Sequence, residues 1–436
     1  MMQLLHVSDI HFKGKAAGTE TDPEKMYQEH ILHDVALRTG ILGKVDGILV
    51  TGDIAFAGKK HEYEAASNWL DSLAAACGCS PSNVYVVPGN HDVDRSVVAK
   101  NAAVSNAIEA VWSKAGSDRE NALRRQLEDP ETSAAILRPI AAYNEFARAY
   151  QCQVTSPRLS WENPVRIDGE TVLNIRGLHS ALLCGWKPNE EQNQLYLGPV
   201  QSGTVPSYGT INLVLAHHPP EWMADRFELE DRLLAGPNIA LFGHEHRPSV
   251  SQGESDCILI RAGSANPDRR ENGWQPAYGW IHISMEGTEP DRKAKIRVRQ
   301  FAWQRSPAGF VAKKYRNGNT ESDFKDYLLP VSGTNLVESD SEQEQADLVR
   351  SRTSNNDASK ITMSDSPTQR PDIRSMLFQI WRLDYADRKE ILSNLGLGQD
   401  IPTENEDAWV DTCFREAIAK DLLAELGAAI AKKDRV

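Results

Sequence analysis

A chain of 436 residues, 40% of them hydrophobic, is too long for one small domain and suits one large domain plus an appendage. Its 48 basic and 61 acidic residues leave a net charge of −13, which argues against a surface that clings throughout to nucleic acid or anionic membrane, though not against a local basic channel. The N-terminus enters a strand pattern with no basic, apolar and cleavable leader, and no apolar run approaches membrane-spanning length. Six scattered cysteines (Cys77, Cys79, Cys152, Cys184, Cys257, Cys413) form neither a zinc spacing nor a disulfide framework. A reducing cytoplasm and buried thiols are expected.

Leu4-Leu-His-Val-Ser-Asp9-Ile-His11 reads as a strand whose last polar residues are two apart, so an extended chain points both off one face. A helix follows from about Pro23 to Thr39. Gly47-Ile-Leu-Val-Thr-Gly52-Asp53 is a second buried strand ending in a carboxylate. His61 to Cys77 carries Tyr63, Ala66, Leu70, Leu73 and Ala74 at helical spacing and leads into Val84-Tyr-Val-Val-Pro-Gly89-Asn90-His91-Asp92, an apolar run stopped by a Pro-Gly turn. Strand and helix in alternation, with polar residues at the strand ends, predict an α/β sheet carrying a site along its carboxyl edge.

From Arg95 to about Tyr150 the sequence turns Ala-rich, charged and helical, predicting a helical insertion that either caps the site or merely packs beside it. Strands resume over Arg158–Gly185, with a hairpin turn at Gly169-Glu-Thr. Ile211-Asn-Leu-Val-Leu-Ala-His217-His218-Pro-Pro and Ile239-Ala-Leu-Phe-Gly243-His244-Glu245-His246 are two more apolar strands ended by histidine. Cys257 to Gly263, Gly279 to Met285 and Lys295 to Phe301 read as strands of a second sheet that completes a sandwich. His179 and His282 fall inside strand patterns and read as packing histidines. Residues 331–371 are polar, acidic and poor in aromatics, the composition of a flexible linker. Residues 372–436 return to helical spacing. Ile373, Met376, Leu377, Ile380 and Trp381 mark one face, Asp387-Arg-Lys-Glu390 a capping-box start, and Trp409, Val410, Cys413, Phe414 and Ala417 another face, with Leu422, Leu423 and Leu426 closing a small all-α bundle.

The strand ends together supply Asp9, His11, Asp53, Asn90, His91, His217 or His218, His244 and His246. Carboxylate, imidazole and amide donors without thiolate suit Mn²⁺, Fe or Zn²⁺.

The ordered set Asp-x-His, Gly-Asp, Gly-Asn-His-Asp, His, Gly-His-x-His resembles the calcineurin-like metallophosphoesterases over roughly residues 1–305, and within residues 1–330 implies their helix-flanked β-sandwich. The resemblance implies two divalent ions, Mn²⁺ ahead of Fe or Zn²⁺: Asp9, His11 and His246 on one, Asn90, His217 and His244 on the other, Asp53 between them. His217 precedes His218 here because it is the first histidine after its strand. Two such ions beside two carboxylates leave the site net positive, which favours an anionic phosphate, and paired metals can clamp both oxygens of an in-line displacement. His91, a non-ligand by resemblance, would protonate or stabilise the leaving oxygen, with Asp92 orienting its imidazole.

Departures narrow the class. Gly52-Asp-Ile-Ala-Phe-Ala-Gly58 lacks the Asp-Arg-Gly of the protein Ser/Thr phosphatases, which also use Gly-Asn-His-Glu, and Phe56 stands where purple acid phosphatases place a Tyr ligand. What remains resembles the branch of cyclic-nucleotide phosphodiesterases and DNA-repair exonucleases, so the expected substrate is a phosphodiester, DNA or RNA ahead of a cyclic nucleotide. A metal-binding adaptor without catalysis is disfavoured because no ligand of the set is missing. Arg261, Arg269, Arg270, Arg297 and Arg299 suggest a local phosphate-tracking face. The C-terminal bundle, through Leu383-Asp-Tyr-Ala-Asp-Arg388, Leu395-Gly-Leu-Gly398, Trp409, Ala417 and Leu422-Leu423, is similar to death-fold-like adaptor domains of bacterial conflict systems. That implies a protein partner bound through 372–436, in an antiviral setting. No membrane association is expected.

Overall fold

The short apolar runs become strands and the 3.6-residue patterns become helices. The computed structural model describes residues 1–331 and 372–433, apart from residues 23, 157, 186–194, 204–206, 208, 234–237, 254–256, 268–274, 289–290, 318–319 and 400–405. Most of the expected linker, together with Arg269 and Arg270, lies outside the described residues.

The first half opens as β1 (Met2–Val7), α1 (Lys25–Leu42), β2 (Gly47–Val50), α2 (Lys60–Cys77) and β3 (Val84–Val86), and these three strands pair in parallel. The insertion is five helices: α3 (Arg95–Lys100), α4 (Ala102–Trp112), α5 (Gly116–Glu128), α6 (Pro130–Leu137) and α7 (Ala141–Ala149). Side-chain caps on Asp94, Asn101 and Asp129 receive backbone N–H groups and start three of them. Next come β4 (Ser160–Arg166), β5 (Val172–Leu178), the short α8 (Pro199–Ser202), β6 (Thr210–Ala216), α9 (Arg226–Leu233), β7 (Asn238–Phe242), β8 (Ser249–Gln252) and β9 (Ile258–Arg261). Then follow β10 (Ala277–Glu286), β11 (Lys293–Arg305), β12 (Ala308–Ala312), a small β13 (Tyr315–Asn317) and β14 (Thr320–Ser322) ladder, and β15 (Lys325–Pro330).

The strands sort into two sheets sharing one hydrophobic core, in the orders β12-β11-β10-β1-β2-β3 and β4-β5-β6-β7-β9-β8. This corrects the expected pairing. The second sheet is not built from the late strands: β10 pairs antiparallel with β1, so β10, β11, β12 and β15 extend the first sheet, while β9 joins β7 in the second. Alternation shows that a strand buries one face, and it is silent on the neighbour. The parallel strands β1, β2 and β3 of one sheet, and β6 and β7 of the other, end on a common rim.

The C-terminal bundle consists of α10 (Ile373–Arg382), α11 (Tyr385–Asn394), α12 (Glu406–Ala419) and α13 (Leu423–Lys433), with its own core of Met376, Ile380, Ile391, Leu392, Trp409, Val410, Phe414 and Leu426. Asp384 caps α11 by accepting from the Asp387 N–H, where the sequence suggested a capping box at Asp387. The motif residues that carry the adaptor resemblance serve this interior. Arg388 donates to Glu406 and to the Leu383 carbonyl, and Trp409 donates to the Gly398 carbonyl at 3.1 Å. Gly398 has φ +66°, and a Cβ there would overlap Trp409 and Cys413.

Candidate metal centre

Three of the five rim strands, β1, β2 and β7, are followed by residues in an unusual backbone conformation. Asp9 (φ 54°), His11 (φ 53°), Asp53 (φ 51°), His244 (φ 67°) and His246 (φ 54°) are all left-handed, which leaves only Gln151 and Asp421 as other described non-glycine residues of this kind. Such strain persists only where the surroundings over-determine it, and it gathers at functional sites. It also corrects the period-two argument for Asp9 and His11. The chain is not extended there, and it is the left-handed turns that aim both side chains inward.

The loops are laced together. Asp9 N–H donates to the Gly52 carbonyl at 3.0 Å, and Ile10 and His11 N–H both donate to that of Asp53 at 2.9 and 3.0 Å. Gly89 lets the third strand end close in, because a Cβ there would overlap the Asp53 carboxylate, and a Cβ on Gly243 would overlap the Ser8 hydroxyl.

Asp53, 2% exposed, is the hub. Its Oδ2 lies 3.2 Å from His11 Nε2 and 3.3 Å from His217 Nε2, while Oδ1 accepts the His91 N–H at 2.8 Å. Asp9 Oδ1 lies 3.0 Å from His246 Nε2, and its Oδ2 accepts the His244 N–H at 3.3 Å. Asn90 Oδ1 is 3.1 Å from both His217 Nε2 and His218 Nε2. Two neighbouring clusters result, Asp9–His11–His246 and His217–His218–His244, with Asp53 within reach of Asp9 and His11 of the first and of His217 of the second.

The sequence left His217 and His218 as alternatives, and the fold brings both rings to Asn90. His217 donates from Nδ1 to the Thr51 carbonyl at 2.7 Å, so its Nε2 faces Asp53 and Asn90. His218 is held from behind, with Nδ1 at 3.0 Å from Ser180 Oγ. Trp222 closes this end, its ring edge-on to His244 at 4.2 Å.

His91 stands beside the first cluster, its ring 4.8 Å from that of His11. Its Nδ1–H donates to the Phe56 carbonyl at 2.8 Å, which leaves Nε2 for the site, and a ring nitrogen of His91 lies within 4.8 Å of ligand atoms of His11 and Asp53. Asp92 does not orient it, contrary to the sequence reading. The Asp92 carboxylate instead accepts from the backbone N–H groups of Ile54 (3.2 Å), Ala55 (2.9 Å) and Gly89 (2.8 Å) and from Tyr63 OH (2.8 Å), bolting the second strand end to the third. Sequence reasoning also passed over Ser180, Trp222, Asn266 and the Phe56 carbonyl. Asn266 was findable, since Gly263-Ser-Ala-Asn266 is another polar cluster directly after an apolar strand, and its carbonyl lies 3.5 Å from His11 Nδ1.

The electrostatics follow from burial and crowding. Burial alone would raise the Asp53 carboxyl, but His217 and His11 outweigh it and hold it well below the usual carboxylate range. Burial would lower His217, but Asp53 and Asp9 push it up to about 9. Burial, then the neighbouring His217, takes His244 down to about 3. Burial, then the Asp53 charge, lifts Asp92 to about 6 against its backbone hydrogen bonds.

Among the described residues, the three arginines of the expected phosphate-tracking face are each set against acids. Arg261 is paired with Glu221 (2.6 Å) and Glu245 (3.2 Å), Arg297 binds Asp326 through two hydrogen bonds of 2.7 Å, and Arg299 lies 3.9 Å from Asp323.

The model of the calcineurin-like phosphoesterase family matches residues 2–248, more than half of the chain. The chain belongs to that family. The match takes in the five strand-end motifs from Asp9 to His246 and stops before the late strands and the bundle. An uncharacterized metallophosphoesterase-like protein of Bacillus subtilis, YydB, is 31% identical over 96 residues, covering 22% of this chain and 18% of that relative's length. Among solved structures, a dimetal phosphatase from Danio rerio aligns over 76% of this chain and 99% of its own at 11% identity and a TM-score of 0.35. A predicted phosphoesterase from Streptococcus pneumoniae aligns over 75% and 97% at 12% identity and a TM-score of 0.28. Likenesses this loose carry no argument about activity.

The donor set of this phosphoesterase fits a cation on grounds internal to the site. With its Nδ1 proton committed to Thr51, His217 turns Nε2 on a carboxylate and an amide oxygen; Asp53 and Asp9 keep a proton on that nitrogen below about pH 9, and a metal ion would take that proton's place. Among the described residues, no helix is long and apolar enough to cross a membrane.

Proposed function

We propose that this chain is a dinuclear-metal phosphodiesterase acting on nucleic acid, carried to a protein partner by its C-terminal bundle in an antiviral setting. The observation that carries the catalytic part is Asp53, one carboxylate oxygen within 3.3 Å of an imidazole from each of two clusters. Asp9, His11 and His246 would hold one ion and Asn90, His217 and His244 the other, with Asp53 shared. Bound there, divalent ions such as Mn²⁺ would polarise the phosphoryl group and activate water at neutral pH.

The protein's own contribution lies around that centre. His91 keeps Nε2 for proton transfer on a ring fixed by the Phe56 carbonyl and set 4.8 Å from that of His11, a placement that suits a proton donor to the leaving oxygen. Burial lowers its pKa against the pull of Asp53, so the neutral ring is favoured and the protonated share grows as pH falls. His11, His91, His244 and His246 keep some exposure while His217 and His218 are buried, so the site is reached from the surface, which supports a polymer backbone over a small nucleotide. The recruitment half rests on the resemblance of the bundle.

The test is one gel with Mn²⁺-loaded protein on single-stranded, duplex and supercoiled DNA, His91→Ala as control, and cyclic nucleotides assayed in parallel. Cleavage lost in the variant supports a nuclease. Intact DNA with cyclic-nucleotide hydrolysis moves the substrate to small phosphodiesters. Two metals bound with neither substrate hydrolysed would leave an adaptor and end the enzymatic reading.

A further inference from the structure

Helix α10 has two buried faces. Met376 and Ile380 enter the core of the bundle, whereas Phe378 is 7% exposed and belongs to the core of the phosphoesterase body. Arg374, Phe378 and Arg382, at i, i+4 and i+8, form a second stripe directed at that body. We infer that the bundle is docked on the phosphoesterase by a specific intramolecular interface pinned by Arg374, and that the partner for this face of α10 is the chain's own catalytic body.

Arg374 sits in a built socket. Its Nε donates to the Ser82 carbonyl at 2.7 Å, Nη1 to Asn163 Oδ1 at 2.5 Å, and Nη2 to the carbonyls of Tyr150 at 2.8 Å and Val84 at 3.3 Å. The guanidinium also lies over the Tyr85 ring, 4.5 Å from its centroid. Four acceptors from three parts of the body, Ser82 with Val84, Tyr150 and Asn163, thus converge on one planar fork, the use to which guanidinium is best suited.

Around this pin the interface has the anatomy of a recognition surface. Phe378 packs 5.6 Å from Tyr150 at its centre. Charged pairs ring it, Arg382 with Asp71 of α2 at 2.7 Å and Arg148 of α7 with Asp407 of α12 at 2.7 Å, while the Arg148 guanidinium lies over Trp381 at 4.8 Å. Open grooves flank the contact, one of about 740 Å³ between α7 and the bundle and one of about 600 Å³ beside β4.

The position has a consequence for the rim. Rings run from Phe378 to Tyr150, Phe146 and Tyr63 at centroid spacings of 5.6, 5.1 and 5.1 Å, and Tyr63 hydrogen-bonds Asp92, which holds the loops of Asp53 and His91. A protein taken up by the bundle must therefore use faces that α10 leaves free, and is held in a fixed relation to the metal centre.

The experiment uses the full chain with a protease site placed within residues 332–371, nicked and passed over a sizing column at about 1 µM, where an interface weaker than that comes apart. The nicked, otherwise unmodified protein is expected to stay whole. Arg374→Ala should weaken the association about thirtyfold or more, the loss typical of a central anchor, and separate the halves. Asn163→Arg, on the body, sets guanidinium against guanidinium and should separate them too, so the outcome does not depend on the bundle tolerating a change at 374. Separation of the unmodified nicked protein would overturn the interface, and co-elution of either variant as tightly as the parent would overturn the pin.

Discussion

Asp92 offers a graded test of the claim that it fastens two loops together and does not serve His91. Its Oδ2 accepts the N–H groups of Ile54 and Gly89, and its Oδ1 accepts the Ala55 N–H and the Tyr63 hydroxyl. Tyr63→Phe removes one donor, shared between Asp92 Oδ1 at 2.8 Å and more weakly the Asp92 carbonyl at 3.4 Å, and orphans no backbone N–H, so it should cost about 1 kcal/mol. In Asp92→Asn the amide NH₂ must face one of the two pairs. Turned to Ala55 and Tyr63, where the hydroxyl can accept, it leaves a single N–H unsatisfied, for about 1–3 kcal/mol. Asp92→Ala orphans three buried N–H groups at once and should cost about 3–5 kcal/mol, a large part of the roughly 5–15 kcal/mol that holds a domain together. Denaturant unfolding of the three variants checks the order, and metal titration should show Asp92→Ala weakened although it touches no ligand. Equal losses across the series, or an Asp92→Ala protein within about 1 kcal/mol of the parent, would refute the reasoning.

Asp53→Ala should lose metal and turnover together, while His91→Ala should keep metal and lose about a hundredfold to ten-thousandfold in turnover, as metal analysis beside kinetics would show. Since the Asp53 and Asp9 charges raise His217 to about 9, metal must displace a proton below that pH. Affinity should therefore climb as pH rises from 6 toward about 9, with protons released into the buffer during calorimetric titration; a pH-independent affinity would contradict this. Ser180→Ala and His218→Gln should each weaken one of the two metal-binding steps by about tenfold to a hundredfold and leave the other unchanged, because they free Asn90 and not Asp9.

The strand ends were legible in the sequence because both signals are local: an apolar run followed at once by Asp, Asn or His, and a helix of the right length before the next run. Parallel pairing of β1, β2 and β3, and of β6 and β7, then forces those ends onto one rim. What escaped is what local pattern cannot encode. The backbone turns at Asp9 and His11 depend on hydrogen bonds to residues 52–54, and the acceptor for His91 is a carbonyl, which every residue type possesses. The arginines of β9 and β11 find acids at Glu221, Asp323 and Asp326 that spacing does not connect to them. The stripe Arg374, Phe378, Arg382 was visible at helical spacing, but only the apolar face of α10 is read by a pattern built on hydrophobicity.

The Phe56 carbonyl carries a consequence for how this protein can vary. No codon change deletes a main-chain oxygen, so the group that fixes His91 is beyond the reach of point mutation at position 56 itself. Vulnerability is displaced to the side chains that fix the path of the main chain there. Asp92 holds residues 54 and 55, and Glu62 accepts the N–H groups of Ala57 and Lys59 at 3.0 Å each. In a library of single substitutions the proton donor's orientation should tolerate many residues at 56 and few at 62 or 92. A lineage drifting through sequence space would rewrite the residue nearest His91 long before it could touch the two that matter.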